Sequence, residues 1–214
     1  MKYQSKVVEA GSVLFPEFKN ERVYMLPFFK KEGLPSHLAR WQSTVDQMLQ
    51  NIETDSPIYL MIDQSFVKAG TPQRRPGLHI DGYWIPESHS HGQGGGRHSQ
   101  NSVVYAGTHS NNGGSRHRSN KDMFQSWQDA EFKDHEALIL ASNISAARGF
   151  TGIYEGPIQE MGNCQNVSTN ALNEVKLEAN KAYIGNVTFL HESLPVENDC
   201  YRTLVRLNVP GFDF

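Results

Sequence analysis

The chain has 214 residues, 38% of them hydrophobic, and a formal net charge of −3. That length suits one well-cored domain, and the mildly acidic balance excludes a protein held on nucleic acid by bulk electrostatics, though not a local basic patch. No run approaches the roughly 20 consecutive apolar residues of a membrane span, and the amino terminus, MKYQSKVVEA, lacks the apolar core of a secretion signal. Two cysteines, Cys164 and Cys200, make no disulfide framework and show no metal-ligand spacing. The expected location is therefore a reducing cytoplasm.

The first predicted element is a helix within residues 34–52, LPSHLARWQSTVDQMLQNI. Leu38, Trp41, Val45, Met48 and Leu49 recur there at three- and four-residue steps, with Ser36 as the expected N-cap. This is a packing element, and no chemistry is assigned to it.

Beyond it the pattern changes to short apolar runs separated by Gly, Pro, Asn and Ser. Strands are predicted in 56–67, 77–84, 101–107, 136–143, 148–156, 173–186, 187–194 and 201–209. Several short strands at turn-rich intervals predict a mainly β sandwich or barrel, with a core from about residue 57 to residue 210. No linker divides the chain, so residues 1–214 are read as one domain. Residues 88–120 are poor in apolar side chains and predict two long polar loops around the 101–107 strand.

The segment RPGLHIDGYW, residues 75–84, places His79 and Asp81 two apart in extended chain. Alternation would put both on one face, with Leu78 and Ile80 on the other. An imidazole and a carboxylate on one rigid face can reach the same divalent cation. A third ligand is offered by His191 in NVTFLHESLPV, where Val187, Phe189 and His191 share a face. In YRTLVRLNV, Arg202, Leu204, Arg206 and Asn208 form one row, and Thr203, Val205, Leu207 and Val209 form an apolar row opposite. Two arginines on one face of a core strand require either solvent or an anion, because an unpaired buried guanidinium is costly. Arginine is well suited to holding a carboxylate with two parallel bonds. Two histidines and one carboxylate on one side of an ion leave positions open opposite them, the arrangement of the facial triad of non-haem iron oxygenases.

The order His79-x-Asp81 … His191 … Arg202 resembles the Fe(II)/2-oxoglutarate-dependent dioxygenase superfamily. The resemblance covers roughly residues 58–209 and rests on five residues. It implies a double-stranded β-helix (jelly roll) core whose mouth holds Fe(II), buttressed by an N-terminal helix. It implies that His79, Asp81 and His191 bind iron. Arg202, eleven residues after His191, would bind the distal carboxylate of 2-oxoglutarate. Arg206, four further on, would assist at substrate or cosubstrate. Halogenating members of the superfamily replace the carboxylate ligand with a small residue. Asp81 therefore favours hydroxylation, with dioxygen and 2-oxoglutarate as cosubstrates.

Two other readings stay open: a jelly-roll binding or structural protein without catalysis, and a cupin-like metalloenzyme that does not use 2-oxoglutarate. The substrate is left as a small molecule, nucleotide or peptide. His89, His91 and His98 lie in a Gly-rich loop and are read as solvated. The basic cluster SRHRSNK, residues 115–121, could touch an acidic or phosphate-bearing substrate. Tyr83 and Trp84 would wall the substrate pocket or pack the core.

Overall fold

The computed structural model describes residues 2–81, 136–159 and 162–212. The expectations for Tyr83, Trp84, the 101–107 strand, His89, His91, His98 and the basic cluster lie outside the described residues. Ten strands are described: β1 (Lys2–Ser5), β2 (Val7–Ser12), β3 (Arg22–Phe28), β4 (Ile58–Val67), β5 (Glu136–Ser142), β6 (Ala147–Glu155), β7 (Asn173–Lys176), β8 (Lys181–Asn186), β9 (Leu190–Ser193) and β10 (Cys200–Pro210). They make a mainly β structure of two antiparallel sheets. The larger runs β2-β8-β5-β10-β4-β3; in the smaller, β6 pairs with β1, β7 and β9.

The central strands of the larger sheet are covered on both faces, which is why their sequences are almost continuously apolar rather than alternating. IYLMIDQSFV in β4 and EALILAS in β5 are buried nearly throughout. The outer face presents Ile58, Leu60, Ile62, Ala137, Ile139, Ala141, Val205, Leu207 and Val209 to Leu38, Trp41, Val45, Met48 and Leu49. The inner face presents Leu138, Leu140 and Tyr183 to Phe189 and Val175 of the smaller sheet's side. Three layers result: helix, larger sheet, smaller sheet.

The helical segment starts as a 3-10 turn over Ser36–Trp41 and continues as α1 (Gln42–Met48). Its apolar periodicity faces the sheet as predicted. Ser36 is not the cap: Pro35 occupies that position and no side chain caps the turn. Proline fits there because the first amide groups of a helix have no internal acceptor.

Three further readings are corrected. Residues 173–186 are two strands in different sheets, β7 and β8, because Asn180 turns the chain with φ 59°. The 187–194 segment is a strand only over Leu190–Ser193. The 77–84 segment is not a regular strand within its described part; His79 alone makes bridges, to His191 on one side and Asn163 on the other.

Candidate metal centre

The bridge at His79 does the work expected of a strand. His79 and His191 exchange backbone hydrogen bonds, each 3.0 Å, so their side chains leave the same face of the smaller sheet side by side. The Ile80 N–H donates to Gly162 O at 2.9 Å, and the Cys164 N–H donates to Leu78 O at 2.8 Å. A Cβ on Gly162 would overlap Ile80 O, so only glycine permits this approach. Ile80 points away into an apolar cluster with Tyr3, Phe150, Tyr154 and Leu190. Asp81 and His79 are left facing the space between the sheets.

His79 Nε2 and His191 Nε2 lie 3.9 and 3.5 Å from Asp81 Oδ2. One donor atom from each of the three residues falls within 4.8 Å of the others. Both Nδ1 atoms are engaged elsewhere: His79 Nδ1 at 2.7 Å from Gly77 O, His191 Nδ1 at 3.0 Å from Phe189 O. A carbonyl accepts only from N–H, so Nδ1 carries a proton in each ring and Nε2 is the atom turned toward Asp81. Such backing fixes the tautomer and the ring orientation of a metal-ligating histidine. Burial, and then the neighbouring His191, push the His79 pKa down to about 3, which keeps that imidazole neutral.

Burial alone would raise the Asp81 pKa. The Arg206 guanidinium outweighs that and holds the carboxyl well below its ordinary range. The Asp81 side chain is 27% exposed, whereas both histidines are almost fully buried. Donors about 2 Å from one ion stand about 3 Å apart, so these three, within 4.8 Å of one another, would need to draw together by about 1–2 Å. Two nitrogens and one anionic oxygen, approaching from one side, suit a divalent transition metal.

The imidazole of His191 is held from behind. Phe189 stacks on it at 5.1 Å between centroids and 17° between planes. Phe189 in turn fills the room left by two glycines, since a Cβ on Gly149 or Gly185 would run into its ring. The shared face of Phe189 and His191 was legible from their spacing. The glycines that make room for Phe189 were not.

The two arginines differ. Both are buried, Arg202 at 1% and Arg206 at 7% exposure. Arg206 Nη1 lies 2.8 Å from Asp81 Oδ2, its Nη2 reaches Met25 Sδ at 3.3 Å, and its Nε has no partner. Met25 meets it because a bulge in β3, with φ 48° at this residue, turns the side chain inward. Among the described residues, Arg202 hydrogen-bonds only to hydroxyls, Nε to Ser142 Oγ at 3.2 Å and Nη1 to Ser193 Oγ at 3.5 Å. No carboxylate among the described residues pairs with it. Burial lowers its pKa to about 10, so it remains a cation at neutral pH. A buried guanidinium whose described partners are all neutral is suited to an anion.

Comparison with family models, with curated proteins and with solved structures finds no match. Of the five predicted site residues, His79, Asp81, His191 and Arg206 converge. Arg202 lies beyond them on the same face of β10. No described helix is long and apolar enough to cross a membrane.

Proposed function

We propose that this chain is an Fe(II)/2-oxoglutarate-dependent dioxygenase, a hydroxylase whose two facing sheets form a double-stranded β-helix. The observation that carries the reading is the pairing of two sites. A His-Asp-His triad presents two imidazole nitrogens and a carboxylate, and a buried arginine with no carboxylate partner among the described residues follows on the strand after the second histidine. Together they offer metal ligands and an anchor for a dicarboxylate.

His79, Asp81 and His191 would hold Fe(II) on one side and leave the opposite positions for 2-oxoglutarate and dioxygen. The bound iron and cosubstrate supply the oxidation: 2-oxoglutarate, dioxygen and a substrate C–H bond give succinate, carbon dioxide and the C–OH product. Arg202 would bind the distal carboxylate, helped by Ser142 and Ser193. Arg206 holds Asp81 in place and keeps it ionised, and its unpartnered Nε offers one further donor to a bound ligand. The buried walls on either side exclude water. The two free cysteines, Cys164 and Cys200, suit the cytoplasm as the site of action.

The test is anaerobic. Fe(II) and then 2-oxoglutarate are added to metal-free protein, and the weak visible charge-transfer band of a chelated 2-oxo acid is sought. The expected result is a band in the parent that is lost in His79→Ala. Iron binding without the band overturns the 2-oxoglutarate reading and leaves a cupin-like metalloenzyme. Failure to bind iron leaves a jelly-roll module without this chemistry.

A further inference from the structure

A second group of charged residues lies on the inward face of the larger sheet, beside the two arginines of β10. Residues paired across an antiparallel ladder project to the same side. Arg22 of β3 pairs with Asp63 of β4, and Asp63 pairs with Leu204 of β10, midway between Arg202 and Arg206. Arg22 and Asp63 therefore share the inward face with both, while the next pair, Val23 and Ile62, turns to the outer core. At about 4.8 Å per strand, Arg22 stands roughly 10 Å across the sheet from β10.

A third member comes from the segment after β4. Gln73 Nε2 donates to Asp63 O and to Ser65 Oγ, each at 2.9 Å, which pins this segment to β4. Arg74 Nη1 then lies 3.4 Å from Asp63 Oδ2, and Arg22 Nε lies 3.6 Å from Oδ1. One carboxylate is shared by two guanidiniums, and one positive charge is left over. Each contact is a single long approach rather than the two parallel bonds an arginine can make. Among the described residues neither guanidinium has another partner. Their side chains are 53% and 39% exposed against 13% for Asp63. The carboxylate is sheltered and the two cations stay accessible.

Exposed ion pairs contribute little to stability, and one arginine would neutralise Asp63. Two, held side by side, make a receptor with surplus positive charge and unused N–H groups on both forks. A planar carboxylate is satisfied by one fork. The three terminal oxygens of a phosphate monoester, which carries about −1.5 to −2 charge at neutral pH, can take both. We infer that Arg22 and Arg74 form the subsite for a phosphate monoester group on the oxidisable substrate, with Asp63 positioning them. The offset from β10 puts the oxidised carbon several bonds from the phosphorus. The inference rests on the oxygenase reading for the word substrate, while phosphate binding itself requires neither iron nor 2-oxoglutarate.

The test uses the full chain, metal-free, with 15N-labelled arginine, followed at the guanidinium Nε–H signals. Methyl phosphate is the probe, with acetate as the carboxylate and trimethyl phosphate as the uncharged control. The expected result is that the Arg22 and Arg74 signals shift with methyl phosphate, while Arg148, already paired with Glu174 and Glu192, stays fixed. Affinity should exceed that for acetate at least about tenfold, and trimethyl phosphate should not bind. Arg22→Gln and Arg74→Gln should each weaken methyl phosphate binding at least about fivefold. Arg202→Met, which removes the neighbouring buried cation, should change it by no more than about threefold. Both glutamine variants alter partly exposed side chains, and an unchanged unfolding transition checks their fold. Fixed Arg22 and Arg74 signals, acetate binding as tightly as methyl phosphate, or undiminished affinity in the two glutamine variants would each overturn the inference. Loss confined to Arg202→Met would assign the phosphate to Arg202 and overturn it as well. Phosphate binding in a protein that gives no charge-transfer band would retain the subsite and sink the oxygenase reading; a band without phosphate binding would do the reverse.

Discussion

Val205, Leu207 and Val209 on β10 face the N-terminal helix, whereas Arg202, Arg206 and Asn208 lie on the strand's other face, where Arg206 meets Asp81 of the His-Asp-His triad. Both rows are buried. The outer row meets apolar partners of matching shape and stabilises the fold by removing hydrocarbon from water. The inner row includes two charges and an amide, whose burial opposes folding unless something answers each of them. Among the described residues, Asp81 answers Arg206, Glu136 answers the Asn208 amide nitrogen, and only hydroxyls answer Arg202. A strand that alternates in this way separates the part that holds the fold from the part that binds. Substitutions on its two faces should therefore fail differently.

The largest effect on stability belongs to the outer face. Leu207 is fully buried among Trp41, Val45 and Met48 in the outer core. Leu207→Ala should lower unfolding free energy by about 2–5 kcal/mol, through lost burial and the cavity left behind. Denaturant titration measures the loss. Metal affinity, measured well below the new melting temperature, should stay within about twofold of the parent, because no group of the triad touches this face. A tenfold loss of metal affinity would show that the two faces are not separable.

Legibility in the sequence followed the same division. The alternation in YRTLVRLNV and the apolar runs of β4 and β5 are local patterns, and they placed these strands nearly to the residue. The edge strands were not seen. In β2, VVEAGS is half exposed and interrupted by a bulge between Glu9 and Gly11. In β3, a bulge between Val23 and Leu26 breaks the two-residue period and Pro27 follows it. An edge strand buries little, so its sequence is little constrained.

At the site, the order and spacing of His79, Asp81, His191 and the arginines identified the groups that cluster. Their connections were not legible. The Arg206–Asp81 contact, the Glu136–Asn208 bond and the glycine cradle of Phe189 each join residues distant in sequence, and only the sheet register brings them together. His79 was read as part of a regular strand. It acts instead through isolated bridges, to His191 on one side and Asn163 on the other, with the same result for the direction of its side chain.

An intermediate effect should come from the cradle. In Gly149→Ala the new methyl group meets the Phe189 ring, which must move, and His191 is stacked on the far side of that ring. Overpacking of this kind costs about 1–3 kcal/mol. Because the displaced ring orients a ligand, metal affinity should fall at least about tenfold, as for the partners that orient ligating histidines elsewhere. Calorimetric titration with Zn(II) reads the affinity and thermal unfolding the stability. Loss of stability with unchanged affinity would show that Phe189 packs beside His191 without holding it.

The smallest change in stability is expected at Arg202. In Arg202→Met an unbranched apolar chain replaces a buried guanidinium that has no carboxylate partner among the described residues. Removing a buried charge from neutral surroundings is often neutral or stabilising. The hydroxyls of Ser142 and Ser193 lose a donor, and Ser142 Oγ still accepts from the Ile144 N–H. The melting temperature of metal-free protein should therefore stay the same or rise. The 2-oxoglutarate affinity of the iron-loaded protein should fall at least about tenfold, with iron affinity nearly unchanged. A marked loss of stability would make Arg202 a structural cation that the two hydroxyls satisfy. Full stability together with parental 2-oxoglutarate affinity would leave the buried charge without a role, and would remove the main reason for choosing this cosubstrate.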